Sequence, residues 1–497
     1  MQSIRAVIFD LDGTLIDNEP IYQAADQAFL LEKGVLLGET DWSDVVGMGA
    51  GAFIDKLKLA HDLPGDRGEL LMEKESFYLE RAKGRVKAFP RTVELVRYLW
   101  VNGYKLAIAT GSGRKVVDAM LEESELKLYF ETTVSSSDVR RGKPDPESFD
   151  CAASKMGVPP EQCLVIEDSQ YGVLAAERAG MRCLALPALG SEAKQAFERA
   201  EVSVLGGPAR LVPAQVIEHF ELCKPLAPEF ERIQRFRTVA YEQFENENRP
   251  MPWRETNDPF LILASEFMLQ QTQVARVVPK FKEFARRYPT PDILAAAPLS
   301  EFMAFWQGLG YNRRAKHLKD TARVLCEEYG GQVPDTVDAL RSLPGVGEYT
   351  ASAVAAFAFH QPVAVIETNI RRLFLHFFFA GAAKVPDREV GKIIERALDS
   401  ENPRRWYYAL MDYGSYLGKL FPNANRRSAH YTKQSRFEGS VRQVRGKILR
   451  VLAANGPMSR DGVEEAVGPI DQRFESALEG LMRDGILSDR EGRLTLD

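Results

Sequence analysis

Short apolar runs separated by stretches of helical periodicity mark the first part of the chain. Three runs of four to six residues are almost continuously apolar: 4–9, 105–110 and 163–166. Such runs are typical of strands buried on both faces of a parallel sheet. Helical spacing after the first run predicts three helices, over 22–33, 51–61 and 68–83. The pattern therefore predicts an α/β domain over residues 1–222, with helices inserted after its first strand.

Helical spacing alone governs the chain from about residue 230. It predicts helices over 230–246, 262–274, 337–343 and 349–359, and thus an all-α domain over 223–438. Residues 439–497 predict three helices and a terminal hairpin, the order of a small winged-helix module. Such a module would add duplex contacts through Arg442, Arg445 and Lys447. The alternative is a packing domain with no binding role.

Composition narrows the possible protein classes. The 497 residues are enough for about three domains, and 45% hydrophobic with 27% charged residues is ordinary for a globular protein. No apolar run approaches the length of a membrane span, and the chain enters its first predicted strand at once, so a cytoplasmic location is expected. The net charge of −6 argues against uniform coating of nucleic acid, but Lys and Arg concentrate over 313–319 and 404–450.

Polar side chains follow each predicted strand of the first domain. Because parallel strands end at one edge of a sheet, we expect these side chains to meet there. Acids, a hydroxyl group and an amine in one place predict a phosphoryl-transfer site with a divalent cation. Each group alone could equally be a helix cap or a surface ion pair. The residues are Asp10, Asp12, Thr110, Lys143, Glu167 and Asp168.

In order and spacing these residues resemble the haloacid dehalogenase superfamily, in particular its β-phosphoglucomutase-like phosphatases with a Rossmann-like fold. The resemblance implies a helical cap over about residues 17–89, a small phosphorylated metabolite or nucleotide as substrate, and Mg²⁺. It implies Asp10 as nucleophile and Asp12 as general acid and base, with the phosphoryl oxygens held by Thr110 and Lys143. The implied metal ligands are Asp10, Asp12, Glu167 and Asp168.

Two positions in the predicted cap depart from the sugar-phosphate mutases of this superfamily. Tyr22 stands where those enzymes carry histidine, and Ala50 stands where a cap arginine is expected. Both departures concern recognition of a second phosphate group. A monophosphate hydrolase is therefore the expected activity.

A glycine-rich turn joins the two helices predicted over 337–343 and 349–359. Gly345 and Gly347 would leave backbone N–H groups open at a helix N-terminus, which suits a phosphodiester. Glu367 follows an apolar run some twenty residues later, so an acid would lie near this phosphate contact. That arrangement fits chemistry on a flipped nucleotide. The alternative is a glycine-capped turn followed by a helix-capping acid.

Residues 230–435 resemble helix-hairpin-helix DNA glycosylases, and among them the A/G-mismatch adenine glycosylases. The resemblance implies double-stranded DNA with a mispaired or damaged base as partner and location on the nucleoid when bound. It implies that Glu266 protonates the leaving adenine and that Glu367 stabilises the sugar cation. Tyr349 stands where the lyases have lysine, so no strand cleavage is expected. The implied DNA contacts are Gln270, Gln271, Tyr311, Gly345, Gly347, Asn369 and Arg371. The matching segments are 251–254, 265–274, 308–311, 343–350 and 367–369.

Two departures from the adenine glycosylases bear on activity. Glu367 replaces the usual aspartate and is one methylene longer. The four-cysteine loop expected after residue 416 has no cysteine between 418 and 439, so no iron–sulfur cluster is expected. Two interpretations remain: a phosphatase fused to an active glycosylase, or a phosphatase fused to a decayed, lesion-sensing DNA-binding domain.

Overall fold

The computed structural model describes residues 2–35, 50–61, 63–190, 195–432, 438–468 and 472–496. Contacts divide the chain into two compact units. Met1–Val239, His376–Ala382 and Leu420–Pro422 form the first, and Ala240–Leu375, Ala383–Lys419 and Asn423–Asp497 form the second. The domain limits predicted near residues 222 and 438 stay predictions. Among the described residues no helix has the length and apolar character that a membrane crossing needs.

A parallel sheet forms the centre of the first unit, in the strand order β3-β2-β1-β4-β5-β6. Every residue of β1 and β4 is buried, which explains their continuous apolar runs. Phe9 in β1 is in register with Ile108 in β2 and Ile166 in β4, so these three strands end at one edge. The strands are β1 (Ala6–Phe9), β2 (Lys105–Ala109), β3 (Thr132–Val134), β4 (Cys163–Glu167), β5 (Arg182–Ala185) and β6 (Val202–Ser203).

Helices cover the sheet and form the predicted insertion after β1. The insertion has its own apolar cluster, which includes Phe29, Phe53 and Leu70. Residues 36–49 of the predicted cap lie outside the described residues. The helices are α1 (Glu19–Glu32), α2 (Ala50–His61), α3 (Arg67–Ala82), α4 (Pro90–Val101), α5 (Arg114–Glu122), α6 (Glu147–Met156), α7 (Gln170–Arg178) and α8 (Pro213–His219). The α/β class predicted for this part of the chain is confirmed.

The second unit is helical up to about residue 420, as predicted. Its central helix α10 begins at an Asp258 cap, carries proline at its first position and is apolar on all sides, because it is buried within the unit. The helices of this part of the chain are α9 (Glu229–Asn246), α10 (Pro259–Leu269), α11 (Val274–Arg287), α12 (Pro291–Ala296), α13 (Leu299–Trp306), α14 (Arg313–Tyr329), α15 (Val337–Ser342), α16 (Glu348–Ala358), α17 (Thr368–Phe378), α18 (Asp387–Ala397) and α19 (Pro403–Leu420). The residues of α9 up to Val239 and the last residues of α17 and α19 belong to the first unit.

Three helices and a small antiparallel sheet in the order β7-β9-β8 complete the second unit. Its assignment to the winged-helix class stays a prediction. Ile448, Leu449 and Leu452 belong to the same apolar core as Trp306 of α13. This C-terminal module therefore packs as part of the unit. Its elements are α20 (Val441–Asn455), β7 (Met458–Ser459), α21 (Arg460–Val467), α22 (Gln472–Arg483), β8 (Leu487–Arg490) and β9 (Arg493–Leu496).

Candidate active sites

The carboxyl edge of the parallel sheet holds a buried group of charged side chains. Lys143 Nζ donates to Asp10 Oδ1 at 2.5 Å and to Glu167 Oε2 at 2.9 Å. Asp10 follows β1, Glu167 ends β4, and the Asp10 backbone N–H donates to the carbonyl of Ile166 at 2.9 Å. The register of β1 and β4 thus brings together groups that are more than 150 positions apart in the sequence.

Asp10, Glu167 and Asp168 each place a carboxylate oxygen within 4.8 Å of the others. Burial raises the pKa of Asp10 and of Asp168 well above the usual value, and the nearby Glu167 raises both further. Lys143 supplies one positive charge against three carboxylates. A divalent cation such as Mg²⁺ prefers oxygen ligands of this type, so the donor set fits it.

Glycine permits the close approach of the backbone to these acids. Gly13 has φ +74°, and a Cβ there would lie 2.3 Å from Asp168 Oδ2. A Cβ on Gly172 would lie 2.0 Å from the Glu167 carboxyl group. Larger residues at either position would displace a carboxylate of the group.

Asp12 directs its carboxylate to a second set of partners. Asn18 Nδ2 donates to its Oδ1 at 2.6 Å, and the hydroxyl groups of Thr110 and Ser112 donate to its Oδ2 at 2.9 and 2.7 Å. The Asp12 carboxylate therefore lies outside the group formed by Asp10, Glu167 and Asp168. The predicted roles of Asp12 as metal ligand and of Thr110 as a phosphoryl contact stay predictions.

Asn18 and Ser112, for which the sequence indicated no role, position Asp12. Asn18 precedes α1 and would pass for an ordinary N-cap, but its side chain caps nothing and reaches Asp12 instead. The Tyr22 hydroxyl group lies 2.7 Å from Ser112 Oγ, and its ring stacks on Tyr78 with centroids 4.2 Å apart. Tyr22 of the insertion thus contacts Ser112, one of the residues that donate to Asp12.

Glu266 and Tyr349 meet in the buried centre of the helical unit. The Tyr349 hydroxyl group donates to Glu266 Oε2 at 2.9 Å, across the contact between α10 and α16. Glu266 is only 4% exposed. Burial raises its pKa to about 7; the Tyr349 hydrogen bond opposes this shift, and the charge of Glu367 adds to it. Glu266 is thus a carboxyl group that holds a proton near neutral pH.

Glu367 immediately precedes α17, and its Oε1 is buried without a hydrogen-bond partner among the described residues. Burial raises the pKa of Glu367, whereas the N–H groups of Asn369 and Ile370 and the Arg372 guanidinium lower it. Those donors favour the ionised form at the start of the helix. The two acids therefore differ: Glu266 favours the protonated form more than Glu367 does.

Gln271 and Tyr311 lie on two loops that share an unusual backbone conformation. Both have positive φ, +57° and +48°, which is uncommon outside glycine. Both side chains are exposed. Strained residues of this kind cluster at functional sites. Gln270, the neighbour of Gln271, turns inward and donates from Nε2 to Thr350 Oγ1 at 3.2 Å.

Arg314, for which the sequence indicated no role, joins the end of α10 to both loops. It is 7% exposed. One side of its guanidinium donates to the carbonyls of Phe267 and Met268, at 2.6 and 3.0 Å. The other side donates to Thr272 Oγ1 at 2.9 Å and to the carbonyls of Leu309 and Gly310 at 3.0 Å. Only its place in a run of basic residues was visible in the sequence.

The glycine-rich turn between α15 and α16 packs tightly against α14. Gly345 has φ +75°, and a Cβ there would lie 2.3 Å from His317. Gly347 caps the N-terminus of α16. Arg371 pairs with Asp387 at 2.6 Å, and Asn369 Oδ1 accepts from Arg372 Nη1 at 2.7 Å. DNA contact by these four predicted residues stays a prediction.

Two family descriptions match the chain. The haloacid dehalogenase-like hydrolases match residues 4–180, and the HhH-GPD superfamily base excision DNA repair proteins match residues 264–398. The adenine DNA glycosylase of Mycobacterium tuberculosis is 35% identical over 282 residues, which span 51% of this chain and 90% of that protein. The thymine/uracil-DNA glycosylase of Pyrobaculum aerophilum is 32% identical over 229 residues, which span 43% of this chain and 100% of that protein.

Among solved structures, CbbY from Rhodobacter sphaeroides in complex with phosphate is 23% identical, with a TM-score of 0.38. The match covers 40% of this chain and 93% of the CbbY chain. The mycobacterial relative is matched over most of its length at more than 30% identity. The chain therefore belongs to the HhH-GPD base excision DNA repair proteins, and it carries a haloacid dehalogenase-like hydrolase domain ahead of that domain in the same polypeptide.

Proposed function

We propose that the chain has two hydrolytic activities. The helical unit removes adenine from mispairs with guanine or 8-oxoguanine without cleaving the strand, and the α/β unit hydrolyses phosphomonoesters with Mg²⁺. The single observation that best supports the first activity is the hydrogen bond from the Tyr349 hydroxyl group to the buried Glu266 carboxyl group at 2.9 Å, with Glu367, whose buried Oε1 has no partner among the described residues, near enough to raise the pKa of Glu266.

Base excision would use the two acids in sequence. Glu266 donates its proton to the purine, the bond between base and sugar breaks, and its electron pair leaves with the base. The sugar becomes cationic, and the Glu367 carboxylate, whose Oε1 has no partner among the described residues, stabilises that charge. Water then adds to the sugar and loses a proton to the Glu266 carboxylate, which the first step left ionised. Tyr349 offers a hydroxyl group and no amine, so it forms no covalent adduct with the sugar.

The test uses duplexes with adenine opposite 8-oxoguanine, adenine opposite guanine, and uracil or thymine opposite guanine. We expect strand scission at adenine only after alkali treatment, because the enzyme releases the base and leaves the strand intact. Glu266→Gln should bind these duplexes and release no base. Glu255→Gln, which changes an exposed acid of the same unit, should excise as fast as the parent.

The matched variants also decide between the two interpretations of this unit. Scission without alkali would contradict the monofunctional mechanism. Release of thymine or uracil in place of adenine would show that the substrate is the one named for the Pyrobaculum relative and not adenine. Tight binding of mispairs with no release of any base by the parent would favour lesion sensing, because Glu367 stands in place of aspartate.

For the α/β unit, the group of charged side chains at the carboxyl edge of the sheet supports phosphate ester hydrolysis. The Asp10 carboxylate would attack phosphorus, and the leaving oxygen would take a proton from Asp12. Asp12 would then accept a proton from the water that cleaves the aspartyl-phosphate. Lys143 would balance the charge of the phosphoryl group. Mg²⁺, when held by Asp10, Glu167 and Asp168, would supply further positive charge to the phosphoryl oxygens.

A panel of sugar phosphates and nucleoside monophosphates tests this activity by release of inorganic phosphate. Turnover should require added Mg²⁺ and stop when it is chelated. Asp10→Asn should abolish turnover, whereas Asp150→Asn, on the exposed side of α6, should leave it unchanged. Full activity of the Asp10→Asn variant would overturn the mechanism.

A further inference from the structure

The ring of Tyr311 lies beneath two guanidinium groups that come from different parts of the second unit. Arg314 Cζ is 5.5 Å from the ring centroid, and Arg442 Cζ, from α20 of the C-terminal module, is 5.4 Å from it. Arg442 also donates a hydrogen bond from Nη1 to the Tyr311 hydroxyl group. Contacts of this kind attract through the charge distribution of the ring and fix its orientation.

The guanidinium of Arg314 cannot move without losing the hydrogen bonds that join α10 to two loops. Arg314 is buried and donates to the Phe267 carbonyl in α10, to the Thr272 hydroxyl group and to the Gly310 carbonyl. The second guanidinium, that of Arg442, is partly exposed. Tyr311 therefore contacts one buried cation from α14 and one partly exposed cation supplied by the module.

Packing fixes the position of Arg442. Helix α20 packs on α13, where Ile448 and Leu449 share the core of Trp306. Asp484 of the module binds Arg445 and lies 3.8 Å from Arg313, which is next but one to Tyr311 in sequence. Apolar packing on α13 and the contacts of Asp484 thus both hold the module next to the loop that carries Tyr311.

The exposed groups on this face suit a nucleic acid strand. Arg442 offers a planar cation that can stack on a base and donate to phosphate or base-edge oxygens. Arg313, at 64% side-chain exposure, adds a second cation beside it. Gln271 and Tyr311 are two of the DNA contacts that the resemblance to adenine glycosylases implies. This is the surface where a duplex must be read when a base has been expelled.

We propose that Arg442 is a lesion-recognition residue which the C-terminal module contributes to the glycosylase. It holds Tyr311 in the orientation that enters the duplex, and it contacts the strand beside the expelled base. The ligand is double-stranded DNA at a mispair. This inference rests on the proposed function, and it adds to it a residue from outside the HhH-GPD match.

Binding is measured by fluorescence anisotropy with the full chain carrying Glu266→Gln, so that no base is released during the titration. Two duplexes are compared, one with adenine opposite 8-oxoguanine and one fully matched. Arg442→Ala should weaken binding to the mispair about tenfold and to the matched duplex much less. Arg450→Ala, which removes an exposed arginine from the same helix, should weaken both duplexes by the same small factor.

A double-mutant cycle tests the link to Tyr311. Because Arg442 acts partly through Tyr311 and partly on the strand itself, Arg442→Ala should cost less affinity for the mispair when Tyr311→Ala is present than it does in the parent. Arg442→Lys keeps the charge but loses the planar donor group, so it should restore only part of the affinity. Unchanged melting temperatures would confirm that the variants fold.

Equal losses on both duplexes, or losses that multiply in the double variant, would overturn the proposal for Arg442. Failure of the proposed function looks different. If the parent releases no base but Arg442→Ala still loses affinity for mispairs selectively, the chain is a lesion sensor and the role of Arg442 stands. If the parent releases adenine but the Glu266→Gln chain does not distinguish the two duplexes, the proposed function stands and the role of Arg442 in lesion recognition falls.

Discussion

The proton on Glu266 should give base excision a characteristic dependence on pH. Its pKa is raised from 4.5 to about 7 because the side chain is 4% exposed. If this carboxyl group must be protonated, the single-turnover rate should level off below pH 7 and fall about tenfold per pH unit above it. About one tenth of the enzyme would be competent at pH 8, and about one hundredth at pH 9.

Glu367 should set the acidic side of the same profile. This group must be ionised to stabilise the sugar cation, and burial raises its pKa above 4.5. As the pH is lowered, the excision rate should therefore fall again, with a midpoint above pH 4.5. The result is a bell-shaped profile whose alkaline limb belongs to Glu266 and whose acidic limb belongs to Glu367.

The same shift also affects stability. The folded state holds the Glu266 proton more tightly than the unfolded state, so this stability is fully present below pH 4.5 and is lost as the pH rises through 7. A shift of this size corresponds to about 3 kcal/mol. Glu266→Gln cannot ionise. The stability of this variant relative to the parent should therefore increase as the pH rises. The difference in unfolding free energy between the two should grow by about 3 kcal/mol between pH 4.5 and pH 8.5.

The assay is single-turnover release of adenine from an adenine:8-oxoguanine duplex between pH 5 and pH 9.5, with duplex affinity measured at each pH. Denaturant unfolding of the parent and of Glu266→Gln at the two pH extremes gives the stability difference. Glu255→Gln should reproduce the parental profile. An alkaline limb near pH 4.5, or a stability difference that does not grow with pH, would refute the role of Glu266.

Three further predictions concern other parts of the second unit. Arg314→Met should lower the unfolding free energy by about 3 kcal/mol in denaturant titrations, because several buried carbonyls lose their donor; a smaller loss than that of an exposed Arg313→Met would contradict this. Glu367→Asp should retain adenine release or accelerate it, if the longer side chain is a drifted aspartate; complete loss of release would show that the pocket has adapted to glutamate. The purified protein should be colourless and contain no stoichiometric iron, as absorption spectra and metal analysis can check.

Local patterns were sufficient to predict the elements and the main acids. The strand run at 163–166 became β4, Cys163–Glu167, and the acids at its end reached Asp10 because parallel register is fixed by buried apolar residues. Hydroxyl and amide groups around Asp12 were harder to predict, since Asn18 has the spacing of an ordinary helix cap. Arg314 was not predictable, because its partners lie at the end of α10 and on two loops, which only tertiary packing brings together.

The core shared by α20 and α13 makes the C-terminal module a structural requirement of the glycosylase unit. Removal of residues 439–497 would expose Trp306 and its neighbours to water, so a truncated chain should aggregate. Unfolding of the module and of the helices around Trp306 should then occur in one cooperative transition. Any ligand that binds the module will stabilise the glycosylase unit by mass action, and DNA bound near Arg442 would therefore protect helices that it never touches.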